Sequence, residues 1–250
     1  MLGVEEKVVV ITGGSRGIGR AAALLFSCHE AKVVINFNAH PQAAQQVLDE
    51  IVATGGSGMT YCCDISDRQA VEQMMRTVFE TYGSIDVLVN NAGVWLHAPI
   101  EKLPYDVYKR TLAINVDGVM HCTEAVVPYM IRQGGGRIIN IASTAGQRGE
   151  PQYSPYAASK GAVISLTKSH AVELAPHNIL VNCVAPGWVH TEMSAEALLA
   201  EQETIMRTIP LKRAGQPEEI AWPILFLASA GATYMTGEIM NVNGGSVLCG

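Results

Sequence analysis

A chain of 250 residues suits one large α/β domain, and 48% hydrophobic with only 16% charged residues supplies a sizeable core. The formal net charge of -6, without a block of Lys and Arg, argues against nucleic acid and anionic membrane surfaces as partners. No apolar run approaches the roughly 20 residues that span a bilayer, and the chain start does not resemble a signal peptide, so we expect a cytoplasmic protein.

Seven short, β-branched runs are predicted strands, and helical patterns fill the gaps between them. The predicted strands are Lys7–Thr12, Lys32–Phe37, Gly58–Cys63, Ile85–Asn90, Arg137–Ile141, Ile179–Ala185 and Glu238–Val242. The first two are nearly continuously apolar, which is typical of parallel strands covered on both faces. We therefore predict one doubly wound, Rossmann-type α/β domain over residues 1–250, with a seven-stranded parallel sheet and helices on both faces.

Several helix boundaries can also be predicted. Pro41 suits a first helical turn, and Ser66 with Gln69 forms a predicted capping box before a helix at Val71–Tyr82. The long segment 188–216 follows the sixth predicted strand and is rich in Ala, Leu, Met and Glu. It is predicted to form one or two loosely held helices that act as a substrate lid.

The cysteines and histidines show no spacing typical of a metal site. The seven histidines form no HxxxH or HExxH pair, and the six cysteines form no CxxC pair. We predict no metal, and we predict reduced thiols because the cysteines lie in or beside apolar segments. They are Cys28, Cys62, Cys63, Cys122, Cys183 and Cys249.

A glycine-rich loop follows the first predicted strand and precedes a helical run. Its spacing over residues 13–19 is Gly-x-x-x-Gly-x-Gly. Glycines permit a tight turn and let backbone N–H groups at a helix N-terminus approach a pyrophosphate. A glycine cluster alone often only reverses the chain, but the strand before it and the helix after it favour a dinucleotide phosphate loop.

This loop and several later motifs together resemble the short-chain dehydrogenase/reductase family, essentially from end to end. The matching residues are the glycine loop, Asp64, Asn90-Asn91-Ala92-Gly93, Asn115, Ser143, Tyr156 with Lys160, and Pro186-Gly187 with Thr191. The resemblance implies an NAD(P)-dependent oxidoreductase that moves a hydride between a nicotinamide and a carbonyl or alcohol carbon. Residues 209–213, 217–219 and 241–245 look most like those of bacterial 3-oxoacyl-[acyl-carrier-protein] reductases and related carbonyl reductases.

The resemblance also implies which residues line the cofactor. Asp64 would bond the adenine, Asn90 and Gly93 would line the cofactor, and the segment 186–191 would hold the nicotinamide carboxamide. Asp64 could instead cap a helix, and Asn90 could make a structural bond between strands. The complete predicted set is Gly13, Ser15, Arg16, Gly17, Ile18, Gly19, Phe37, Asp64, Ile65, Asn90, Ala92, Gly93, Tyr156, Lys160, Pro186, Gly187, Val189 and Thr191.

The end of the second predicted strand decides between the two nicotinamide cofactors. A carboxylate there bonds the ribose 2'-OH of NAD and repels the 2'-phosphate of NADP. This chain has Asn36-Phe37-Asn38, without an acid, and Arg16 can meet a phosphate with its fork of donors. NADP(H) is therefore favoured, although Arg16 could be a solvated surface residue and NAD stays possible.

The resemblance implies a catalytic tetrad of Asn115, Ser143, Tyr156 and Lys160. Tyr156 and Lys160 lie four apart on one helix face, where the ammonium and an oxidised nicotinamide are both expected to favour the phenolate. Such a pair alone is ordinarily a solvated contact, but Ser143 follows a strand at the edge where open α/β sheets bind ligands. Within a predicted helix at Val107–Met130, Asn115 suits a local break that holds a water near Lys160.

The residues around the nicotinamide are predicted to be apolar, which favours a ketone or 3-oxoacyl thioester with an apolar tail. They are Trp95, Leu96, Tyr153, Trp188 and Met193, with Leu198, Leu199 and Met206 in the lid. Alternatively, the lid residues pack on their own domain and the aromatic residues support the loop. Arg132, Arg137 or Arg148 could dock an acyl-carrier protein, although Val172 and the negative net charge weaken that possibility.

Two other functions stay open at this point. One is an NAD-dependent dehydrogenase of a sugar or secondary alcohol, and the other is a non-catalytic nucleotide-binding protein.

The helices that carry Asn115 and Tyr156 have small or apolar outer positions, which favours oligomerisation. The family resemblance implies that these helices pair into dimers and then a homotetramer. The outer positions are Val116, Val119, Ala162, Ser165 and Leu166, and Val247-Leu248-Cys249 could seal a second interface.

Overall fold

A computed structural model describes residues 2–248 as one α/β unit around a seven-stranded, entirely parallel sheet with the order β3-β2-β1-β4-β5-β6-β7. All seven predicted strands are confirmed, and their ends move by at most two residues. The strands are β1 Val8–Ile11, β2 Lys32–Phe37, β3 Ser57–Cys62, β4 Val87–Asn90, β5 Gly136–Ile141, β6 Ile179–Pro186 and β7 Ile239–Val242.

Helices cover both faces of this sheet, as predicted. They are α1 Gly17–Cys28, α2 Pro41–Ala53, α3 Arg68–Tyr82, α4 Tyr105–Leu112, α5 Gly118–Arg132, α6 Ala145–Arg148, α7 Ser154–Leu174, α8 Ala195–Ala200, α9 Gln202–Thr208 and α10 Pro217–Ala228. The helices α1, α2 and α10 bury their apolar sides in one core, while α3, α5 and part of α7 pack into a second core on the opposite face. Each parallel strand thus loses both faces to the interior, which explains its unbroken apolar sequence.

The predicted helix starts are partly correct. Pro41 occupies the first position of α2, as expected. The capping box from Ser66 to Gln69 is wrong, because Asp67 is the N-cap of α3 and accepts from the N–H groups of Gln69 and Ala70. Ser66 instead donates its hydroxyl to the Asp64 carboxylate at 2.7 Å. A carboxylate is a strong N-cap acceptor, and the observed N-cap therefore lies one residue after the predicted one.

The predicted helix break around Asn115 is confirmed. Between α4 and α5, residues Ala113–Asp117 form a π-helical turn, which adds a residue relative to an α-helical path. The side chains after the turn are therefore rotated from the positions that an uninterrupted helix would give them. Val119, predicted to face outward, is only 4% exposed, whereas its neighbour Met120 is 40% exposed.

The segment 188–216 contains two short helices, α8 and α9, in agreement with the predicted one or two. Leu198, Ile205, Ile209 and Ala214 form a small core of their own, with Trp188 and Met206 packed against it. Leu199 points into solvent and is 86% exposed. Leu198 and Met206 therefore agree with the alternative that the lid residues pack on their own domain.

Within residues 2–248, the cysteines are unpaired, with Cys28 and Cys62 exposed and the other three buried. Cys249, part of a predicted second interface, lies outside the described residues. Across the described chain, no cluster of His, Cys, Asp and Glu could hold a metal ion. None of the described helices has the length and apolarity that crossing a bilayer requires.

Candidate active site

A cleft of about 420 Å³ opens at the carboxyl edge of the sheet, where the strand order reverses between β1 and β4. Helices after β1 and β4 leave the sheet on opposite faces, so the loops that follow these strands separate and leave a crevice. The glycine loop lies at one end of the cleft, and Ser143 and Tyr156 lie in the same cleft. Sheet topology therefore unites residues that are far apart in sequence.

The glycine loop fits a phosphate group. Gly13 and Gly17 have φ values of 62° and 53°, which favour glycine, and a Cβ on Gly13 would lie 3.0 Å from the Ala92 Cα. The N–H groups of Gly17 and Ile18, in the first turn of α1, have no acceptor within residues 2–248. Free donors at the positive end of a 12-residue helix match a bound pyrophosphate.

Gly19 was predicted to contact the cofactor, but it is buried and is not among the residues that line the cleft. A Cβ at this position would lie 2.3 Å from the Gly13 carbonyl oxygen. Gly19 therefore allows α1 to pack closely against the loop that it follows.

The end of β2 carries no carboxylate. Asn36 is 2% exposed; its Oδ1 accepts from the Gly13 N–H at 3.3 Å, and its Nδ2 donates to the Cys63 carbonyl at 3.0 Å. The next four residues, 37–40, line the cleft. Arg16 also lines it, and its exposed side chain has no hydrogen-bond or ion-pair partner in the described chain. Asn38 and His40 are lining residues that sequence reasoning missed.

Asp64 lies in the cleft as predicted. Its carboxylate accepts from Asn38 Nδ2 at 2.9 Å and from Ser66. Burial alone would raise the pKa of Asp64, but these hydrogen bonds outweigh it and hold the pKa below its ordinary value. The alternative that Asp64 caps a helix is wrong, since Asp67 occupies that position.

Asn90 does not reach the cleft. It is 2% exposed, and its Nδ2 donates to Asn140 Oδ1 at 2.9 Å and to the Thr123 hydroxyl at 3.3 Å. These contacts correspond to the structural alternative for this residue. The next residue, Asn91, lines the cleft and donates to the carbonyls of Thr12 and Gly13. It fixes the glycine loop against β4, a role that sequence reasoning missed.

Ser143, Tyr156 and Lys160 converge in the cleft. Ser143 follows β5 and is hydrogen-bonded to the Tyr156 phenol, and the two other residues lie one turn apart in α7. The Lys160 Nζ lies 5.9 Å from the centroid of the Tyr156 ring and donates to the Ile141 carbonyl at 2.7 Å. The geometry therefore places a hydroxyl, a phenol and an amine close together in the cleft.

The pKa values of this group are governed by burial. Loss of solvent raises the pKa of Tyr156 to about 12 and lowers that of Lys160 to about 8. The hydrogen bond from Ser143 opposes the first shift without overcoming it. In the protein without cofactor, desolvation dominates the pKa of Tyr156, and Lys160 is directed at a backbone carbonyl. Help to the phenolate from Lys160 together with an oxidised nicotinamide stays a prediction.

Asn115 supports this group without lining the cleft. From the π-helical turn, its Oδ1 accepts from the Val94 N–H at 2.8 Å, while Nδ2 donates to the Val94 carbonyl and to the Ser159 hydroxyl. A Cβ on Gly93 would lie 3.2 Å from Asn115 Oδ1 and 3.5 Å from Lys160 Nζ. Asn115 and Lys160 therefore both lie against the same glycine.

Aromatic residues form one wall of the cleft. Trp95, Trp188 and Met193 line it as predicted, while Leu96 and Tyr153 do not. Tyr153 stacks on Trp95 with ring centroids 4.3 Å apart, and Trp188 meets Trp95 edge-on at 5.7 Å. Tyr153 therefore supports the wall from behind, which agrees with the alternative that aromatic residues brace the loop.

Several charged residues of the cleft escaped sequence analysis, because no motif marks them. They are Arg110, Glu150 and Glu192. Of the three arginines predicted to dock a carrier protein, only Arg148 lines the cleft. Arg137 is the second residue of β5 and Arg132 ends α5, both at the amino edge of the sheet, and Arg132 stacks 4.3 Å from the Phe79 ring centroid. Arg132 and Arg137 therefore do not line the cleft.

Known proteins share this sequence and architecture. A family model described as enoyl-(acyl carrier protein) reductase matches residues 13–246. A 3-oxoacyl-[acyl-carrier-protein] reductase of Synechocystis is 41% identical, covering 99% of this chain and 100% of that protein.

Three solved structures are also similar. A short-chain dehydrogenase/reductase of Mycobacterium marinum has a TM-score of 0.94 and 38% identity, covering 99% and 98% of the two chains. A short-chain dehydrogenase of Burkholderia cenocepacia in complex with NADP has a TM-score of 0.91 and 31% identity, covering 97% and 98%. An NAD⁺-bound xylitol dehydrogenase has a TM-score of 0.93 and 32% identity, covering 97% and 99%.

Proposed function

The chain belongs to the short-chain dehydrogenase/reductase family, and on that premise we propose that it reduces a ketone or 3-oxoacyl thioester to the secondary alcohol with NADPH. The observation that carries the proposal is the convergence of Ser143, Tyr156 and Lys160 on one cleft. At the other end of that cleft, a glycine loop offers free N–H groups and β2 ends without an acid.

The residues that would hold the cofactor follow from the same geometry. The first turn of α1 would bind the pyrophosphate, and Asp64 with Ile65 would flank the adenine. Arg16, Phe37, Asn38 and His40 would surround the 2'-phosphate, because Arg16 offers an unpaired guanidinium there and residues 36–40 include no carboxylate. The bound cofactor supplies the hydride. Residues 186–191 would border its nicotinamide, together with Tyr156 and Lys160.

In the proposed reaction, Tyr156 is the proton donor to the substrate oxygen. Its pKa of about 12 keeps the phenol protonated near neutral pH, which suits reduction. The Ser143 hydroxyl would bond the same oxygen and stabilise the charge that develops on it. Lys160 would resupply the proton. Asn115 would hold the segments around Lys160 in place through its hydrogen bonds to Val94 and Ser159.

The aromatic wall favours a substrate with an apolar body. The curated relative is named for a substrate carried on acyl-carrier protein. Arg148 is the one predicted docking arginine at the cleft, so a carrier protein is a weaker partner than a free ketone or a small thioester. We also propose that residues 188–216 act as a lid, because Trp188 and Met193 belong to both the cleft and this segment.

The proposal extends to a cytoplasmic homotetramer. Val116, Ala162 and Leu166 are only partly buried in the single chain and could be covered by a second copy. Light scattering that reports a monomer at micromolar concentration would contradict this assembly.

One panel tests the function. Acetoacetyl-coenzyme A, an alkyl ketone, crotonyl-coenzyme A and xylitol are offered with both cofactors, using NADPH and NADH for reduction and the oxidised forms for xylitol. We expect ketone reduction with NADPH to have the highest kcat/KM. Crotonyl reduction would support the activity named in the family description, and xylitol oxidation with NAD⁺ would support the activity of the structural relative. Either result as the dominant one would overturn the proposal.

A further inference from the structure

Glu150 lies in the short loop between α6 and α7, beside the proposed reaction centre. Gly149 and Gln152 on either side have left-handed φ values of 81° and 68°. Two backbone bonds fix the loop, from the Tyr153 N–H to the Glu150 carbonyl and from the Ala98 N–H to the Gln152 carbonyl. Because a non-glycine residue adopts such a φ only when its surroundings hold it there, the half-buried Glu150 side chain is held at the cleft wall.

The Glu150 carboxylate has no hydrogen-bond or ion-pair partner among the described residues 2–248. Burial raises its pKa, and Arg148 opposes that shift without coming within ion-pair distance. A partly desolvated charge without a donor is unfavourable, so a ligand that brings a donor would gain the hydrogen bond that the protein does not supply.

The position of Glu150 relates it to the substrate rather than to the cofactor phosphates. Its charge contributes to the raised pKa of Tyr156, so it lies within electrostatic reach of the phenol. The neighbouring walls, Trp95, Trp188 and Met193, offer little to a polar group beyond the indole N–H groups. Of the cleft carboxylates Asp64, Glu150 and Glu192, Glu150 is the one whose charge contributes to the pKa of Tyr156.

We propose that Glu150 is a specificity-determining residue that accepts a hydrogen bond from a hydroxyl or amide N–H close to the substrate carbonyl. The inference rests on the proposed ketone reduction and names the substrate class more closely: an apolar body with one donor. A carboxylate at the same place on the substrate would be repelled. A site that hydrogen-bonds a substrate group discriminates against analogues that lack this group.

Three ketones of nearly equal size test this inference with NADPH: 4-hydroxy-2-butanone, 2-pentanone and acetoacetate. The first two differ only in a terminal hydroxyl or methyl group, and the third places a carboxylate nearby. The wild-type enzyme should prefer the hydroxyketone in kcat/KM and should use acetoacetate least. Glu150→Gln should reduce the preference for the hydroxyketone over 2-pentanone about 10-fold, because hydrogen bonds to charged groups are the stronger ones. The same variant should use acetoacetate several-fold better.

A second measurement separates specificity from a merely structural role. In alcohol oxidation the Tyr156 phenolate accepts the proton, so the rate rises with pH as the phenol ionises. This rise should occur at lower pH in Glu150→Gln, because removing the carboxylate charge lowers the pKa of Tyr156. The other charged or titratable side chains at the cleft, unchanged in the variant, are Arg16, His40, Cys63, Asp64, Arg110, Arg148, Lys160 and Glu192. Glu80→Gln, which removes an exposed carboxylate on α3, is the matched control and should change neither readout.

The outcomes are distinct. If the wild-type enzyme reduces none of the ketones, the proposed function fails and this inference fails with it. If it reduces them but Glu150→Gln leaves their ratios unchanged, the inference alone is overturned, and Arg148 then suffices to neutralise Glu150. An equal loss on all three ketones without a shift in the pH profile would also overturn it.

Discussion

The base of the cleft and the segment 188–216, which we propose as a lid, are held in different ways. At the base, Asn115, Ser159 and Lys160 are at most 5% exposed, and each makes hydrogen bonds to neighbouring loops or strands. The lid helices α8 and α9 rest on a separate cluster of four buried apolar residues. Hydrogen bonds fix direction as well as position, whereas apolar packing tolerates small displacements.

This difference suggests a division of labour. Proton transfer needs the donor and the acceptor positioned with a precision of a few tenths of an ångström. The hydrogen-bonded base of the cleft provides this precision. Binding substrates of varied shape needs a wall that can shift, and a small apolar cluster at the surface permits local opening. Changes at the base should therefore affect kcat, while changes in the lid should affect mainly KM.

The largest expected effect comes from Tyr156→Phe. It removes the proposed proton donor while keeping the ring, so kcat should fall roughly 100-fold or more with little change in NADPH affinity. Steady-state kinetics and fluorescence titration of NADPH measure the two quantities. Tyr153→Phe is the matched control, since Tyr153 stacks behind Trp95 and does not line the cleft. Retention of most activity by Tyr156→Phe would remove this residue from the mechanism.

An intermediate effect is expected at the cofactor end from Phe37→Asp. A carboxylate after Asn36 would repel the 2'-phosphate and bond a ribose hydroxyl, so the ratio of NADPH to NADH affinity should fall at least about 10-fold. Phe37→Asn has the same size without the charge and isolates the loss of the ring. If both variants change the affinity ratio equally, charge does not determine the choice between NADPH and NADH. If the base of the cleft is independent of the cofactor end, kcat with saturating cofactor should stay within about twofold of the wild-type value.

The smallest effect is expected in the lid. Leu198 is 6% exposed in the small lid core, and Leu198→Ala should destabilise that core by about 2 kcal/mol. We expect KM for the ketone to rise a few-fold, kcat to change little, and limited proteolysis to cleave within residues 195–208 sooner. Leu199→Ala, at a position 86% exposed, should leave all three unchanged. A drop in kcat as large as that of Tyr156→Phe would contradict the division between base and lid.

Sequence reasoning predicted the sheet, and it predicted that Ser143, Tyr156 and Lys160 meet in one cleft, for identifiable reasons. Buried parallel strands have unbroken apolar runs, and Tyr156, Lys160 and Ser143 belong to a motif with fixed spacing. It misplaced Val119 because the π-helical turn before it rotates the following residues, and periodicity assumes a regular helix. Glu150 belongs to no motif; a left-handed loop directs it to the cleft, and only coordinates show this.

Polar residues illustrate the same limit. Asn90 and Asn91 are adjacent and chemically identical, yet one bonds Asn140 in the interior and the other lines the cleft. Successive residues of a strand point to opposite faces, so a shift of one residue at the strand end decides which asparagine faces the ligand. The sequence motif contains both asparagines and does not indicate which of them lines the cleft.

Asn36 has a consequence for anyone who wishes to re-engineer the coenzyme preference. Its amide joins the glycine loop to the chain after β3, accepting from the Gly13 N–H and donating to the carbonyls of Tyr61 and Cys63. An aspartate at position 36 would keep the acceptor but would face two carbonyl oxygens without a proton to offer. Libraries that randomise residues 36–40 together would therefore be dominated by misfolded phosphate loops. Holding Asn36 constant while varying residues 37, 38 and 40 retains the hydrogen bond to the loop and still varies side chains that line this part of the cleft.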